Sequence, residues 1–207
     1  MIKALLLIFD PTSTWDGIVR TRRSLLFVLA VYLLPMILLA SAAEGYGLVH
    51  WGKWQGVVGR LKQFPPREAV VVEAAQFLLG LGAVFVGANM IRAIGETFHG
   101  RHTYAQAFTT VAYSLSPIFL LRLLDAFNWV SPWVSWGIGI ILSIAVLYHG
   151  LPRIMEPDPS HAFGLFIMSA LLLLLVTGVV RLGTASFLQG KFVKAQVIVS
   201  ELAARLP

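Results

Sequence analysis

The 207-residue sequence predicts an all-α membrane protein: a bundle of five transmembrane helices with a short N-terminal amphipathic interfacial helix and an interfacial C-terminal tail. Two observations predict it. Hydrophobic residues make up 57% of the chain and charged residues 13%, with a mean hydropathy of +0.79, whereas soluble domains carry about 25% charged residues. The apolar residues also fall into five runs of membrane-spanning length, separated by turns that hold most of the charge. No polar block is large enough to bury a core of its own, so residues 1–207 read as a single membrane domain.

Sixteen Lys and Arg against ten Asp and Glu give a formal charge of +6, spread along the chain with no run that tracks phosphates. Nucleic acid is therefore excluded as an expected partner, and anionic lipid headgroups are the natural counterpart of the charge. The absence of cysteine removes disulfides, thiolate zinc sites and cysteine nucleophiles.

In order, Asp10 and Pro11 supply a cap and a first helical position, so an amphipathic helix is expected over 10–23. Trp15, Ile18, Val19 and Arg22 recur at helical spacing, which places this segment on the membrane surface with Trp15 at headgroup level. Arg20, Arg22 and Arg23 precede the uncharged run 24–43, the first span, with a kink expected at Pro35. A signal peptide cleaved after Ala40-Ser41-Ala42 is the rival reading. The long N-terminal segment and full span length argue against it. Residues 44–68, with Glu44, Trp51, Trp54 and Pro65-Pro66, read as an interfacial loop.

The second span, 69–94, carries Glu73, Gln76, Asn89 and Arg92. Glu73 and Arg92 lie near opposite ends and are expected to snorkel outward. Gly80, Ala83 and Gly87 form a stripe of small residues suited to close helix packing. The third span, 104–124, starts at the capping-box pattern Thr103-x-x-Gln106, is interrupted by Pro117, and ends where Arg122 and Asp125 have pairing distance in sequence. Ser114, Ser116 or Tyr113 is expected to cover the carbonyl that Pro117 leaves without a donor. Ser131-Pro132 launches the fourth span, 133–151, anchored by Trp133 and Trp136, with Gly139 and Ser143 as its small-residue contact and Pro152 as its end. The fifth span is 161–180, and the tail 181–207 is too broken by charge to cross. Lys and Arg on the two sides nearly balance, and the arginines abutting the first span favour a cytoplasmic N-terminus.

Four stretches then carry a family resemblance. Asp10-Pro11-x-x-x-Trp15-x-x-Ile18, Gly100-x-x-x-Tyr104-x-Gln106, Ala112-Tyr113-Ser114-Leu115-Ser116-Pro117 and Tyr148-x-Gly150-Leu151 occur in that order. Together they resemble the Yip family of multi-span proteins, named for interaction with Rab-type GTPases, and within it the bacterial members. The resemblance covers about residues 5–180. It implies a five-helix bundle with a cytoplasmic N-terminus, in a bacterium the cytoplasmic (inner) membrane, without enzymatic activity or cofactor. Asp10, Pro11, Trp15, Ile18, Gly100, Tyr104, Gln106, Tyr113, Pro117 and Gly150 are then its shape-defining positions.

Three chemistries compete for the function. Glu96-x-x-His99-x-x-His102 has metal-ligand residue types, but i and i+6 on a helix diverge by about 120°, so a site there requires the turn to converge them. Ser114 and Ser116 lack a mid-span histidine to activate them, and the aspartates sit in turns, so hydrolysis is not expected. A transporter or channel would use Glu73, Asn89 and Arg92 as a polar path. The expected function is a non-enzymatic scaffold or adaptor that binds membrane lipids or membrane proteins. Its surfaces would be the N-terminal segment and the turns 95–106 and 153–160.

Overall fold

The computed structural model describes residues 2–55, 60–98, 103–127 and 130–205. Two short helices, α1 (Ile2–Phe9) and α2 (Pro11–Thr21), precede five helices long and apolar enough to cross a membrane. These are α3 (Leu25–His50), α4 (Pro66–Thr97), α5 (Tyr104–Ala126), α6 (Pro132–Met155) and α7 (Ala162–Leu188). The protein is a multi-pass integral membrane protein. A short antiparallel hairpin, Lys53–Gln55 paired with Arg60–Lys62, follows α3, and α8 (Val193–Ala204) folds back against α4.

Helix α5 is the centre of the bundle. About 67% of its most apolar stretch is buried, against 28% for α7, and α3, α4 and α6 all pack on it. Elsewhere large side chains such as Leu38, Leu78 and Ile141 are exposed, as expected of surfaces that face lipid. The Gly80–Ala83–Gly87 stripe turns inward. A Cβ at Gly80 would meet Ile37 and Phe119, and one at Gly87 would meet Leu173 and Val111, so the stripe seats α4 against α3, α5 and α7. Gly139 lets α6 approach the Ile118 backbone of α5, and Ser143 is fully buried on the same side.

Both prolines that interrupt spans are accommodated by the backbone around them. Before Pro35 the helix widens into a π segment, Val28–Leu33, and the Leu34 amide bonds to Leu29 O, so the missing N–H is absorbed by a wider turn. At Pro117, α5 breaks at Leu115, and Pro117 leaves Tyr113 O without its usual amide donor. The Ser116 hydroxyl donates to that carbonyl, as the sequence predicts. Having given its proton to Tyr113 O, Ser116 Oγ accepts from Tyr32 OH, which ties α3 to the break.

Several boundaries differ from the expected ones, for a common reason: a charge ends an uncharged run without ending a helix. The first span runs to His50, which places Glu44 inside it. The fifth runs to Leu188 and includes Arg181. Pro152 does not terminate α6, because it sits in the last turn, where one lost bond is tolerated, and the helix continues to Met155. Helix α2 does not lie on the surface with Trp15 among headgroups. Trp15 and Ile18 are buried against α6. Helix α1 buries Ala4 and Leu7, with Ile2, Leu5, Leu6 and Phe9 exposed, and packs on α6 and on the half of α5 beyond the break.

Candidate functional site

The residues singled out by the sequence meet at the N-terminal face of the bundle. Asp10 caps α2 by accepting from the Ser13 amide, and Pro11 occupies its first turn. The helix so fixed delivers Trp15 into the bundle, where its indole N–H donates to Val146 O at 3.0 Å. The ring lies directly over Gly150, and a Cβ there would overlap it. Trp15 meets Tyr113 edge to face at 5.9 Å, and Tyr113 in turn packs on Tyr32 at 4.2 Å. Gln106 completes the capping box, accepting from the Thr103 amide at 2.9 Å, while its Nε2 donates across to Ile154 O on α6 at 3.0 Å. Tyr104 is half-buried beside Phe108. One interlock therefore holds α2, α3, α5 and α6 together.

Above this interlock lies a crevice of about 390 Å³. Ile18 and Val19 of α2, Arg22 and Arg23 after it, the first turns of α5 at Ala105, Gln106 and Thr109, Arg153 and Ile154 of α6 and Glu156 just past it line it. Arg153 Nε pairs with Asp16 at 2.9 Å, and its Nη1 donates to His149 O. Arg23 stacks over the Phe27 ring at 4.6 Å. Arg22 and Glu156 are the non-glycine residues with positive φ among the described residues, at 38° and 43°, and both face this crevice. Each caps a helix C-terminus, where glycine is the easier residue.

The fold and these motif positions agree with the family comparison. A family model described as Yip1 domain matches residues 5–180. The chain belongs to the Yip1 family. Neither a curated protein nor a solved structure matches it.

This Yip1 protein holds a second polar centre at the opposite end of the spans, which the sequence does not reveal. Glu44 of α3, Glu73 and Gln76 of α4, Arg122 and Asp125 of α5 and Arg181 of α7 converge, and all but the slightly open Arg122 are at least nine-tenths buried. Arg122 reaches Glu44 Oε2 at 2.7 Å, Gln76 Oε1 at 3.2 Å and Glu73 Oε2 at 3.6 Å, while Gln76 Nε2 donates to Glu73 Oε1. Arg181 bridges Asp125 at 3.4 Å and Glu44 at 3.9 Å. The expected outward snorkelling of Glu73 and the expected Arg122–Asp125 pair are both replaced. Facing helices offer each charge a buried opposite partner at its own depth, and a buried charge without one is far costlier than an exposed one. A cavity of about 60 Å³ adjoins the cluster, lined by Gln76, Arg122, Asp125, Arg181, Thr177 and Trp136 among others.

The remaining polar residues do not join this centre. Asn89 donates to Phe85 O on its own helix, and Arg92 pairs with Glu96 one turn on at 3.0 Å, both exposed. The polar path expected along α4 therefore breaks after Glu73 and Gln76. Of the metal-type residues Glu96, His99 and His102, the two histidines lie outside the described residues, as does Gly100.

Proposed function

We propose that this Yip1 protein is a non-enzymatic membrane scaffold that receives lipids or membrane proteins at its N-terminal face, with that face on the cytoplasmic side of a bacterial inner membrane. One observation carries the reading. The N-terminal helix and the flanks of the two turns expected to be interaction surfaces converge on a single crevice, seated on the interlock of family-motif side chains. The motif residues lie beneath the crevice and shape it, as expected of a binding surface that has to keep its form. Ser116 is engaged in covering the Pro117 break, which supports a structural role for that serine over a nucleophilic one.

A photocrosslinking amino acid at positions 19, 104 and 109, tested in intact membranes, checks this. A defined lipid class or a specific protein recovered from these positions, and from none on the lipid-facing side of α7, is the expected result. Random bulk lipid at every position would sink the scaffold reading. Terminal reporter fusions check the side.

A second reading, transport of a small solute or ion, is favoured by one observation: Glu73 is held in a buried charged cluster beside a cavity. It predicts a flux in proteoliposomes that Glu73→Gln abolishes while the bundle stays folded.

A further inference from the structure

We propose that the crevice between α2, α5 and α6 is a headgroup site for an anionic phospholipid, whose phosphate is held by Arg22, Arg23 and Arg153. The proposal rests on the scaffold reading and names its ligand.

Charge is the first ground. Three arginines line the crevice against the single acid Glu156, and Asp16, beside it, is already taken by Arg153 Nε. Arg153 has Nε on Asp16 and Nη1 on His149 O, so its fork is fixed in place with Nη2 left for a further acceptor. Guanidinium groups match phosphate oxygens in geometry and charge, and a pre-oriented one loses less freedom on binding.

Backbone conformation is the second. Arg22 stands at a helix terminus in the left-handed region, with φ 38°, where an L side chain is disfavoured relative to glycine. Glycine at that position would ease the backbone and lose the guanidinium. The observed residue keeps a charge on the crevice lining.

Level and lining are the third. The crevice lies at the first turns of α5 and the last turn of α6, where helices of spanning length leave hydrocarbon for headgroups. Beside the arginines its walls include Ile18, Val19, Val28 and Ile154. A phospholipid presents the same pairing, a phosphate next to apolar chain. At about 390 Å³ the space suits one headgroup and its glycerol, and it is small for a folded partner. Juxtamembrane bases also attract anionic lipid at the surface in general, so the site has to be shown to be specific.

The test uses the full chain purified in detergent, with dioleoyl phosphatidylglycerol or dioleoyl phosphatidylcholine as probe and bound lipid read by native mass spectrometry. Phosphatidylglycerol should be retained in preference. Arg22→Gln with Arg23→Gln, both at exposed positions, should weaken that retention by about 30-fold, at roughly one decade or less per lost arginine. Glu156→Gln should strengthen it several-fold, an effect of opposite sign that misfolding does not produce. Lys194→Gln on α8 and Arg205→Gln just beyond it should change nothing. Equal retention of the two lipids, or phosphatidylglycerol binding indifferent to the arginine and Glu156 variants, overturns the proposal. Protein adducts in place of lipid from a crosslinker at position 19 also overturn it while leaving the scaffold reading standing. Adducts of neither kind remove both.

Discussion

Arg122 shows most clearly how single residues hold this bundle. It donates to Glu44 and Gln76 and lies within ion-pair range of Glu73, so removing it strands Glu73 in the interior and leaves Glu44 only its longer contact to Arg181. Breaking one side of a buried pair costs about 3–5 kcal/mol, while replacing both sides by apolar groups is often neutral or better. Arg122→Met is therefore expected to lower stability by about that amount, measured by denaturant titration in mixed micelles. Glu44→Met with Arg122→Met should recover part of the loss, because the carboxylate that loses its shortest ion pair is gone with it. A double variant worse than the single would contradict the assignment. Gly150 makes a different demand, for space. Gly150→Ala is expected to destabilise by about 1–3 kcal/mol through overlap with Trp15, and Trp15→Leu in the same chain should relieve the clash although it forgoes the bond to Val146 O. The charged residues were the ones least legible in advance. Glu44 reads as the first residue of a loop because an uncharged run stops there, and the guanidinium that makes it tolerable inside a helix stands 78 positions later. Nothing local announces such a partner. Trp15 is misplaced for a related reason, since its spacing fits a headgroup anchor equally well until Gly150 is seen to leave room for it.

At the scale of elements, what was legible follows from local chemistry. The cap at Asp10, the capping box at Thr103 and Gln106, and the hydroxyl cover over the Pro117 break depend on residues within a turn of one another, and each is found in place. The broken α5 supplies a prediction of its own. Ser116→Ala removes the donor to Tyr113 O and the acceptor for Tyr32 OH together, whereas Tyr32→Phe removes only the tie between α3 and α5. Ser116→Ala should cost about 1–3 kcal/mol, as for a buried polar group left unpaired, and Tyr32→Phe about 1 kcal/mol. The same unfolding titration checks both, and a larger effect at Tyr32 would argue against Ser116 as the cover. Helix α3 should respond differently to loss of its proline. Pro35→Ala restores an amide at a site where the backbone has already widened, so amide exchange at Leu33 and Leu34 is expected to slow if the π segment closes into ordinary helix.

At the scale of the whole molecule, the buried and paired charges described above gather at the two ends. At the N-terminal face, aromatic packing and a few directed hydrogen bonds shape a crevice open to its surroundings. At the other, ion pairs from four of the five spans close on one another. Between them most buried side chains are apolar, small where helices approach and large where they do not. Deleting α2 should therefore dismantle the crevice and expose the Tyr113 face while leaving the Arg122 cluster intact, a separation that cysteine accessibility at the two ends would report. The cluster also bears on how the chain enters the membrane during translation. Glu44 leaves the ribosome 78 residues before Arg122, about 4–16 s at ordinary synthesis rates. For that interval the carboxylate lacks the guanidinium that holds it at 2.7 Å in the finished bundle, so the first two spans are expected to wait within the insertion machinery until the third arrives. With no native cysteine in the sequence, Ser41→Cys on stalled chains of increasing length gives the readout: labelling by a water-soluble maleimide should persist in chains ending before Arg122 and disappear once it has been threaded in.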